Sequence, residues 1–391
     1  MARAFLLGTV LVALLAAGCG KTDNPTIEVP IIGAKGTQSK APAALGFPVF
    51  ATKNTTRIGG ADPVADAAAT AQAVYPSITP DERPKAVVLV DQHDWRAAIA
   101  ASVLMAAPIH APILLGDGTS LPAATSDALK ALSPTGSDPA GGAQVIRVGD
   151  VARPPGAKTT DLVGRDDDQL ARAIDAFQAS AKGASADSVV LASEDQPEYA
   201  LPAAAWAAKS GDPVLFTHRD ELPAATRAAI AAHQQPRIYV LGPSTVISPK
   251  VTRVLRTLGT GIRVGGPDSA ANAVAFARYA DSSFGWGVTD PGHGLVFVNP
   301  SRPADAAAAA PLSASGTFGP MLLVDAHGGL PKATGDYLLD IEPGYGRDPT
   351  RGVYNHGWIV GDDKAVSVAT QAQIDALLEI KQASNHLPSQ P

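Results

Sequence analysis

The feature that most constrains this chain of 391 residues is that it repeats itself three times. Each time, a short apolar segment leads into a Leu-Pro turn that ends in Thr. The turns read Leu121-Pro122-Ala123-Ala124-Thr125, Leu222-Pro223-Ala224-Ala225-Thr226 and Leu330-Pro331-Lys332-Ala333-Thr334. They begin 101 and 108 residues apart, a spacing that suits one domain per copy. The repetition indicates one structural unit that is built three times.

Three further cues recur in step with the turns. Each unit opens on a glycine turn with an Asp that should cap an Ala-rich helix; these Asp residues are Asp62, Asp166 and Asp268. A short apolar strand follows, at 87–90, 189–192 and 295–298. Another apolar strand closes each unit at a glycine, namely Gly149, Gly242 and Gly361. The cues predict helices alternating with three strands in every unit.

These strands are apolar throughout, without the alternation of a half-exposed sheet, so both of their faces should be buried. This pattern is typical of an α/β fold in which helices cover both sides of a short parallel sheet. We place the three modules at residues 51–155, 156–260 and 261–381. An amphipathic helix is expected after the closing strand of the second and third units. In the first unit, Pro154-Pro155-Gly156 stands in its place.

Composition excludes some classes of function. Hydrophobic residues make up 46% of the chain, which allows sizeable cores, and the net charge is −6. Binding to nucleic acid, which needs a basic face, is therefore not expected. The chain has neither a Gly-x-Gly-x-x-Gly turn that opens a helix after a strand nor a Walker lysine, so we expect no nucleotide cofactor.

The first 19 residues have the pattern of a secretory signal. Arg3 precedes an apolar run from Phe5 to Ala17, and Gly18-Cys19 follows it. Cys19 is the single cysteine and lies where a bacterial lipobox requires it, which favours a lipoprotein signal peptide over a plain one. Lipidation of Cys19 would anchor the chain outside the cytoplasm. We expect residues 20–50 to form a flexible tether and residues 382–391 to form a tail.

Taken together, the order of these motifs resembles the cell wall-binding repeat 2 family over nearly all of residues 55–381. The resemblance implies three tandem Rossmann-like or Toprim-like modules around a pseudo-threefold axis. It also implies non-covalent binding to anionic cell-wall polymer or peptidoglycan. Because the sequence contains no catalytic motif, we expect a surface protein without enzymatic activity. The family has an aromatic-Pro-Asp-Ala-Leu segment after its first apolar strand, and here only the third unit keeps the Asp, as Asp305.

Candidate binding residues follow the first apolar strand of the units, because ligands of open α/β sheets bind at the carboxyl ends of strands. In the first unit Trp95 could stack on a sugar and Arg96 could pair with a phosphate or carboxylate. The alternative is a solvated loop with one buried Trp. In the third unit Arg302 and Asp305 occupy the matching region. His93 with Asp91 and Asp94 could chelate a metal, but the spacing of known metal motifs is absent and we predict no metal site.

The third unit also has an insertion between its Leu-Pro turn and its closing strand. Four residues in it could stack on sugar rings or reach acidic groups: Tyr345, Arg347, Arg351 and Tyr354. The alternative is a long loop that covers a module interface.

Two other functions remain open at this point. One is an enzyme that modifies wall glycan or peptide, with Asp305 or His356 in its active site. The other is an envelope scaffold that binds proteins. The sequence contains no known catalytic motif, so we favour the polymer-binding hypothesis.

Overall fold

The computed structural model describes residues 51–325 and 329–383. The predicted signal peptide, Cys19, the tether and all but the first two residues of the predicted tail lie outside these ranges. The strands are β1 (Thr55–Ile58), β2 (Val87–Asp91), β3 (Ile113–Gly116), β4 (Val145–Val148), β5 (Thr159–Leu162), β6 (Ser188–Ser193), β7 (Val214–Thr217), β8 (Arg237–Leu241), β9 (Thr260–Val264), β10 (Gly294–Val298), β11 (Met321–Leu323), β12 (Gly344–Tyr345), β13 (His356–Val360) and β14 (Lys381–Gln382).

Helices separate most of these strands. They are α1 (Pro63–Val74), α2 (Trp95–Ala101), α3 (Ala123–Leu132), α4 (Asp167–Lys182), α5 (Pro197–Ser210), α6 (Ala224–Ala232), α7 (Pro249–Leu255), α8 (Ser269–Arg278), α9 (Ala304–Ala314), α10 (Lys332–Asp340) and α11 (Val368–Leu377). A turn of 3-10 helix, Ser102–Met105, continues α2.

Each module has one four-stranded sheet, and every strand pair in it is parallel. The first sheet has the order β3-β2-β4-β5, the second β7-β6-β8-β9 and the third β11-β10-β13-β1. The central strands β2, β6 and β10 have almost no exposed surface. The predicted α/β fold of three modules with short parallel sheets is therefore confirmed.

The fourth strand of each sheet comes from the neighbouring unit of the sequence. β5 and β9 lie just before the second and third Ala-rich helices, yet they pair with β4 and β8 of the preceding sheets. These strands were not predicted, because they are short, polar and partly exposed and the glycine turns that follow them give the stronger local signal. The predicted module boundaries, 155/156 and 260/261, therefore do not coincide with the edges of the sheets.

β1 closes this arrangement into a ring, because it pairs with β13 at the other end of the chain. Arg57 on β1 is buried and donates hydrogen bonds to the carbonyl oxygens of Gly361 and Val366, both at 2.8 Å. The backbone N–H of Asn54, just before β1, donates to Asp375 Oδ1 at 2.8 Å. Every sheet thus contains a strand from the next unit in cyclic order.

The Ala-rich helices that follow the central strands meet at the centre of the molecule. The α2 segment with its 3-10 turn, α5 and α9 each contact the other two. Their small side chains permit this close packing, and Ala306 to Ala310 have no exposed surface. The pseudo-threefold axis itself stays a prediction, because contacts alone do not fix the angles between modules.

Two of the repeated polar residues have the local roles that their positions suggest. The Asp caps accept hydrogen bonds from backbone N–H groups in the first helical turn, in each case at 2.8 Å: Asp62 from Ala65, Asp166 from Gln169 and Asp268 from Ala271. The threonine of each Leu-Pro turn is buried and donates to the carbonyl at the end of the strand before it: Thr125 to Leu115, Thr226 to Phe216 and Thr334 to Leu323. These bonds fix each helix against the carboxyl end of its strand.

The helix expected after the closing strand is present as α7 and α11. The structure shows none between β4 and β5, as predicted. Within the described ranges, no helix combines the length and the apolar character needed to cross a bilayer.

Candidate functional site

The polar side chains that the sequence suggested as binding residues fall into three places. Two are joints between modules, and the third is the insertion of the third module. We define the first–second joint as the contact of α2 with α4, and the third–first joint as the contact of α9 with α1.

Trp95 and Arg96 lie in the first–second joint. The Trp95 ring is half-buried and packs edge-on against Phe216 of the second module, with 5.8 Å between ring centroids. The Arg96 guanidinium lies 4.6 Å from the Trp95 ring centroid and donates to the carbonyl oxygen of Glu194 at 2.9 Å. Its nitrogens also lie 3.6 Å from the Asp167 carboxylate and 3.7 Å from that of Glu194. Both predicted binding residues are thus engaged by contacts between modules.

Several acidic groups surround Arg96, and burial changes their protonation. Burial first, and then the nearby Glu194 carboxylate, raises the pKa of Asp168 to about 6. Burial also raises the pKa of Glu194. His218 completes the group, and its hydrogen bond with Asp195 is the main cause of its raised pKa. The pKa values of Asp168, Glu194 and His218 are thus all raised in this joint.

Arg302 and Asp305 lie in the third–first joint. Asp305 on α9 and Asp66 on α1 have no exposed surface, and the Arg302 guanidinium forms ion pairs with both carboxylates. Its Nε lies 2.8 Å from Asp305 Oδ2, and its Nη1 lies 3.8 Å from Asp362 Oδ1. The backbone N–H of Gly60 donates a hydrogen bond to Asp66. Because Asp305 is fully buried, its side chain serves the joint rather than an exposed surface.

The two buried carboxyls of this joint compete for protons. Burial is the main cause that raises the pKa of Asp66 to about 6, and the positive charge of Arg302 opposes it. For Asp305, burial and then the charge of Asp66 raise the pKa well above the ordinary value. A single guanidinium cannot fully compensate two buried negative charges, which is why the pKa values of both carboxyls are raised.

The insertion of the third module presents the remaining candidates. Tyr345 is half-buried on β12, which pairs with β14. Arg347 and Arg351 are exposed; Arg347 precedes the 3-10 turn Pro349–Arg351, and Arg351 is its last residue. The side chain of Tyr354 is 47% exposed, and its hydroxyl donates to the carbonyl oxygen of Pro349. Four of the predicted residues therefore belong to one surface segment, residues 344–354.

The strand register also brings together pairs that the sequence analysis did not connect. In the first module the ring of His93 lies 2.8 Å from Asp117, beyond the ends of β2 and β3. In the second module the matching positions hold Asp195 and His218, 2.9 Å apart. The histidine and the aspartate have exchanged places. An alignment of the three repeats by strand end could have revealed this exchange.

The fold changes the group of residues that could hold a metal, for which the sequence suggested Asp91, His93 and Asp94. Asp94 caps α2 by accepting a hydrogen bond from the Ala97 N–H at 2.9 Å. Asp117 instead joins Asp91 and His93, and their ligand atoms lie within 4.8 Å of one another. The group is largely exposed, and Asp117 already accepts hydrogen bonds from Gln92 and His93. The bond with His93 is the main cause that holds the pKa of Asp117 below its usual range.

Comparison with known proteins supports the family resemblance. Residues 162–252 match the model of the Cell wall binding domain 2 (CWB2) family. Among solved structures, Cwp8 from Clostridium difficile is similar with a TM-score of 0.63 and 16% identity, over 84% of this chain and 52% of that one. Cwp6 from the same organism has a TM-score of 0.63 and 17% identity, over 90% of this chain and 51% of that one.

These similarities concern the fold and only part of the compared proteins. At this level of identity the two structures share the fold, and the chain spans about half the length of each. No curated protein matches the chain. The matched segment runs from Leu162, the last residue of β5, through β8 to Thr252 in α7. The second module of this chain is thus similar to the Cell wall binding domain 2 (CWB2) family.

Proposed function

We propose that this protein belongs to the cell envelope, where its three modules bind an anionic wall polymer non-covalently and without enzymatic activity. The observation that carries the proposal is the match of residues 162–252 to a cell wall binding family, in a chain whose other two sheets have the same strand order. Three binding modules held in one ring would gain avidity if a polymer spans them.

We further propose that the polymer contacts the exposed surface of residues 344–354. Arg347 and Arg351 are exposed, and the Tyr354 ring beside them offers a face for a sugar. The side chains of Arg96 and Arg302 are only 29% and 18% exposed and lie between modules, so a polymer has less access to them.

Sedimentation of the mature protein with purified cell walls tests this function. We expect the protein to pellet with the walls and to do so less at high salt, because salt screens exposed charges. Replacement of Arg347 and Arg351 by Gln should weaken sedimentation. The Lys332→Gln variant is the matched control, because Lys332 is an exposed cation outside this segment. An absence of sedimentation at every ionic strength would refute polymer binding.

The geometry gives little support to an active site formed by Asp305 and His356. His356 begins β13, whereas Asp305 lies in the first turn after the carboxyl end of β10. Since β10 and β13 are parallel, His356 lies at the amino ends of these strands and Asp305 lies beyond their carboxyl ends. Release of soluble wall fragments by the purified protein would contradict the non-enzymatic proposal.

Lipid anchoring at Cys19 is a separate part of the proposal and depends on the sequence alone. The chain should fractionate with membranes after growth with a labelled fatty acid and should carry the label. The Cys19→Ser variant should lose both the label and the membrane association. Labelling that persists in this variant would exclude Cys19 as the modified residue.

A further inference from the structure

A short segment after α11, residues 380–383, lies against the surface segment 344–354; we call the first the strap and the second the contact segment. β14 of the strap pairs in parallel with β12 of the contact segment. Two backbone N–H groups of the strap donate to carbonyl oxygens at the start of the contact segment: Lys381 to Pro343 at 3.1 Å and Ala383 to Tyr345 at 2.9 Å.

Each of the two exposed arginines of the contact segment has a neighbour in sequence that touches the strap. The Gln382 side chain donates to the carbonyl oxygen of Gly346, the residue before Arg347, at 3.1 Å. Ile380 packs closely against Gly352, where an added Cβ atom would lie 2.2 Å from Ile380 Cδ1. This glycine directly follows the second arginine. The backbone positions of both arginines are therefore coupled to the strap.

An ion pair with one buried partner holds the strap to the start of the contact segment. Glu342, two residues before β12, has no exposed surface, and its carboxylate pairs with the ammonium group of Lys381. Among the described residues, the second carboxylate oxygen of Glu342 has no hydrogen-bond partner. Without Lys381 the buried carboxylate would lose its cation, and it could regain hydration only if the strands β12 and β14 separated.

The strap has a fixed base, and so has the far end of the contact segment. Leu377 and Leu378, which precede the strap, belong to an apolar cluster of the third module. Asn355, which follows the contact segment, is buried. Its amide group donates to the carbonyl oxygen of Ile341 and accepts from the N–H of Gly292, both at 2.8 Å. The strap is thus the link between the core and the exposed stretch.

We propose that Lys381 is a positioning residue for polymer binding, an inference that rests on the proposed function of the contact segment. Lys381 acts through Glu342 and the strap, which hold the backbone of Arg347 and Arg351 in one arrangement. A preformed arrangement of two guanidinium groups binds an anionic polymer without the cost of ordering the segment. Once the strap is released, only the fraction of molecules in the right arrangement can bind, and the affinity falls by that fraction.

Sedimentation of the mature protein with purified cell walls tests the role of the cation. Lys381→Met should weaken binding about fivefold, which corresponds to ~1 kcal/mol. Lys381→Arg should bind as the wild type does, because a guanidinium can pair with Glu342 in place of the ammonium. Lys332→Met is the matched control, since it removes the same charge from an exposed ion pair outside the contact segment, and it should leave binding unchanged.

A second comparison separates positioning from direct contact with the polymer. In a protein that already carries Arg347→Gln and Arg351→Gln, Lys381→Met should have little further effect on sedimentation, because the strap acts through these two arginines. A fivefold loss that persists in this background would show that Lys381 contacts the polymer itself, and it would exclude a positioning role.

Amide hydrogen exchange distinguishes a failure of this inference from a failure of the proposed function. The contact segment should exchange faster in Lys381→Met and in Ala383→Pro, which removes the N–H that bonds to Tyr345, whereas exchange of β10 should stay unchanged. If the wild type does not pellet with walls, polymer binding fails, and exchange still decides whether the strap holds the segment. Unchanged exchange of residues 344–354 in both variants would overturn the inference.

Discussion

The third–first and first–second joints have different kinds of side chain at equivalent positions of the fold. Asp66 and Leu170 both lie four residues after the Asp cap of their helix, and both are buried. Asp66 lies on α1, which packs against α9, and Leu170 lies on α4, which packs against α2. Asp305 of α9 and Ala97 of α2 hold equivalent positions in those two helices. One joint thus buries two carboxyl groups, whereas the other packs apolar side chains at the same positions.

The comparison teaches that the ring does not require polar residues at this position. An apolar pair is sufficient in the first–second joint, where the charges of Arg96 and Glu194 lie nearer to the surface. The third–first joint needs Arg302 because two buried acids without a cation would be strongly destabilising. The position is therefore structural in general, and its polar form in one joint makes that joint sensitive to pH.

The largest expected effect comes from removal of the cation. Arg302→Met should lower the free energy of unfolding at pH 7.5 by about 3–5 kcal/mol, because it leaves the buried carboxyls without their partner. Arg96→Met in the first–second joint should cost only about 1 kcal/mol, since that side chain is more exposed and its ion pairs are longer. Urea unfolding followed by circular dichroism measures both. Equal losses would show that the two joints do not differ as described.

An intermediate effect is expected on the pH dependence of stability. A raised carboxyl pKa means that the folded state binds the proton more readily. The associated stabilisation is complete below about pH 4 and is lost as pH rises through the folded value of about 6 for Asp66. Asp305 extends this loss to higher pH. From pH 7 to pH 5 the joint should therefore gain about 1–2 kcal/mol of stability.

The double variant Asp66→Leu with Asp305→Ala isolates this gain, because it gives the third–first joint the residues of the first–second joint. Its stability at pH 7.5 should fall less than that of Arg302→Met, because Arg302 is 18% exposed and keeps Asp362 at 3.8 Å, whereas Arg302→Met leaves two fully buried carboxyls without a cation. As pH falls, the free energy of unfolding of the wild type should rise relative to that of the variant. The other charged groups around the site are the same in both proteins, namely Arg302, Arg57, Asp62 and Asp362. A difference that does not change with pH would refute the assignment.

The smallest effect is expected in the contact of α8 with α5, where Asn272 holds the position of Asp66 and Leu170. Its side-chain amide donates to the carbonyl of Tyr199 at 3.4 Å, and its Oδ1 is buried without a partner. Asn272→Leu should therefore raise the free energy of unfolding by up to ~1 kcal/mol. A loss of stability in thermal and urea unfolding would mean that this space is already filled.

Much of the fold could be predicted because its signals are local. The Leu-Pro-x-x-Thr turns, the Asp caps and the apolar strands act within a few residues of where they are written. They fix the number of units, the buried strands and the helix starts. The match at residues 162–252 confirms the family resemblance that these motifs suggested for the second unit.

The candidate site was less predictable, because its residues were judged by type and not by surroundings. Trp95 and Arg96 have the chemistry of a sugar site, but only the packing of the second module against the first shows that Phe216 and Glu194 already engage them. Asp305 was noticed as a family residue, yet its partner Asp66 lies more than 200 residues away in sequence. No local pattern links two such positions.

The sequence by itself therefore determined three α/β units, their helix caps and their buried central strands, since these depend on periodicity and on hydrogen bonds between near neighbours. Only the tertiary structure decided that each unit gives its first strand to the preceding sheet and that β1 closes the ring on β13. Polar edge strands of four or five residues have no apolar pattern of their own. Their place is set by the free edge they complete and by the burial of the helices that follow them.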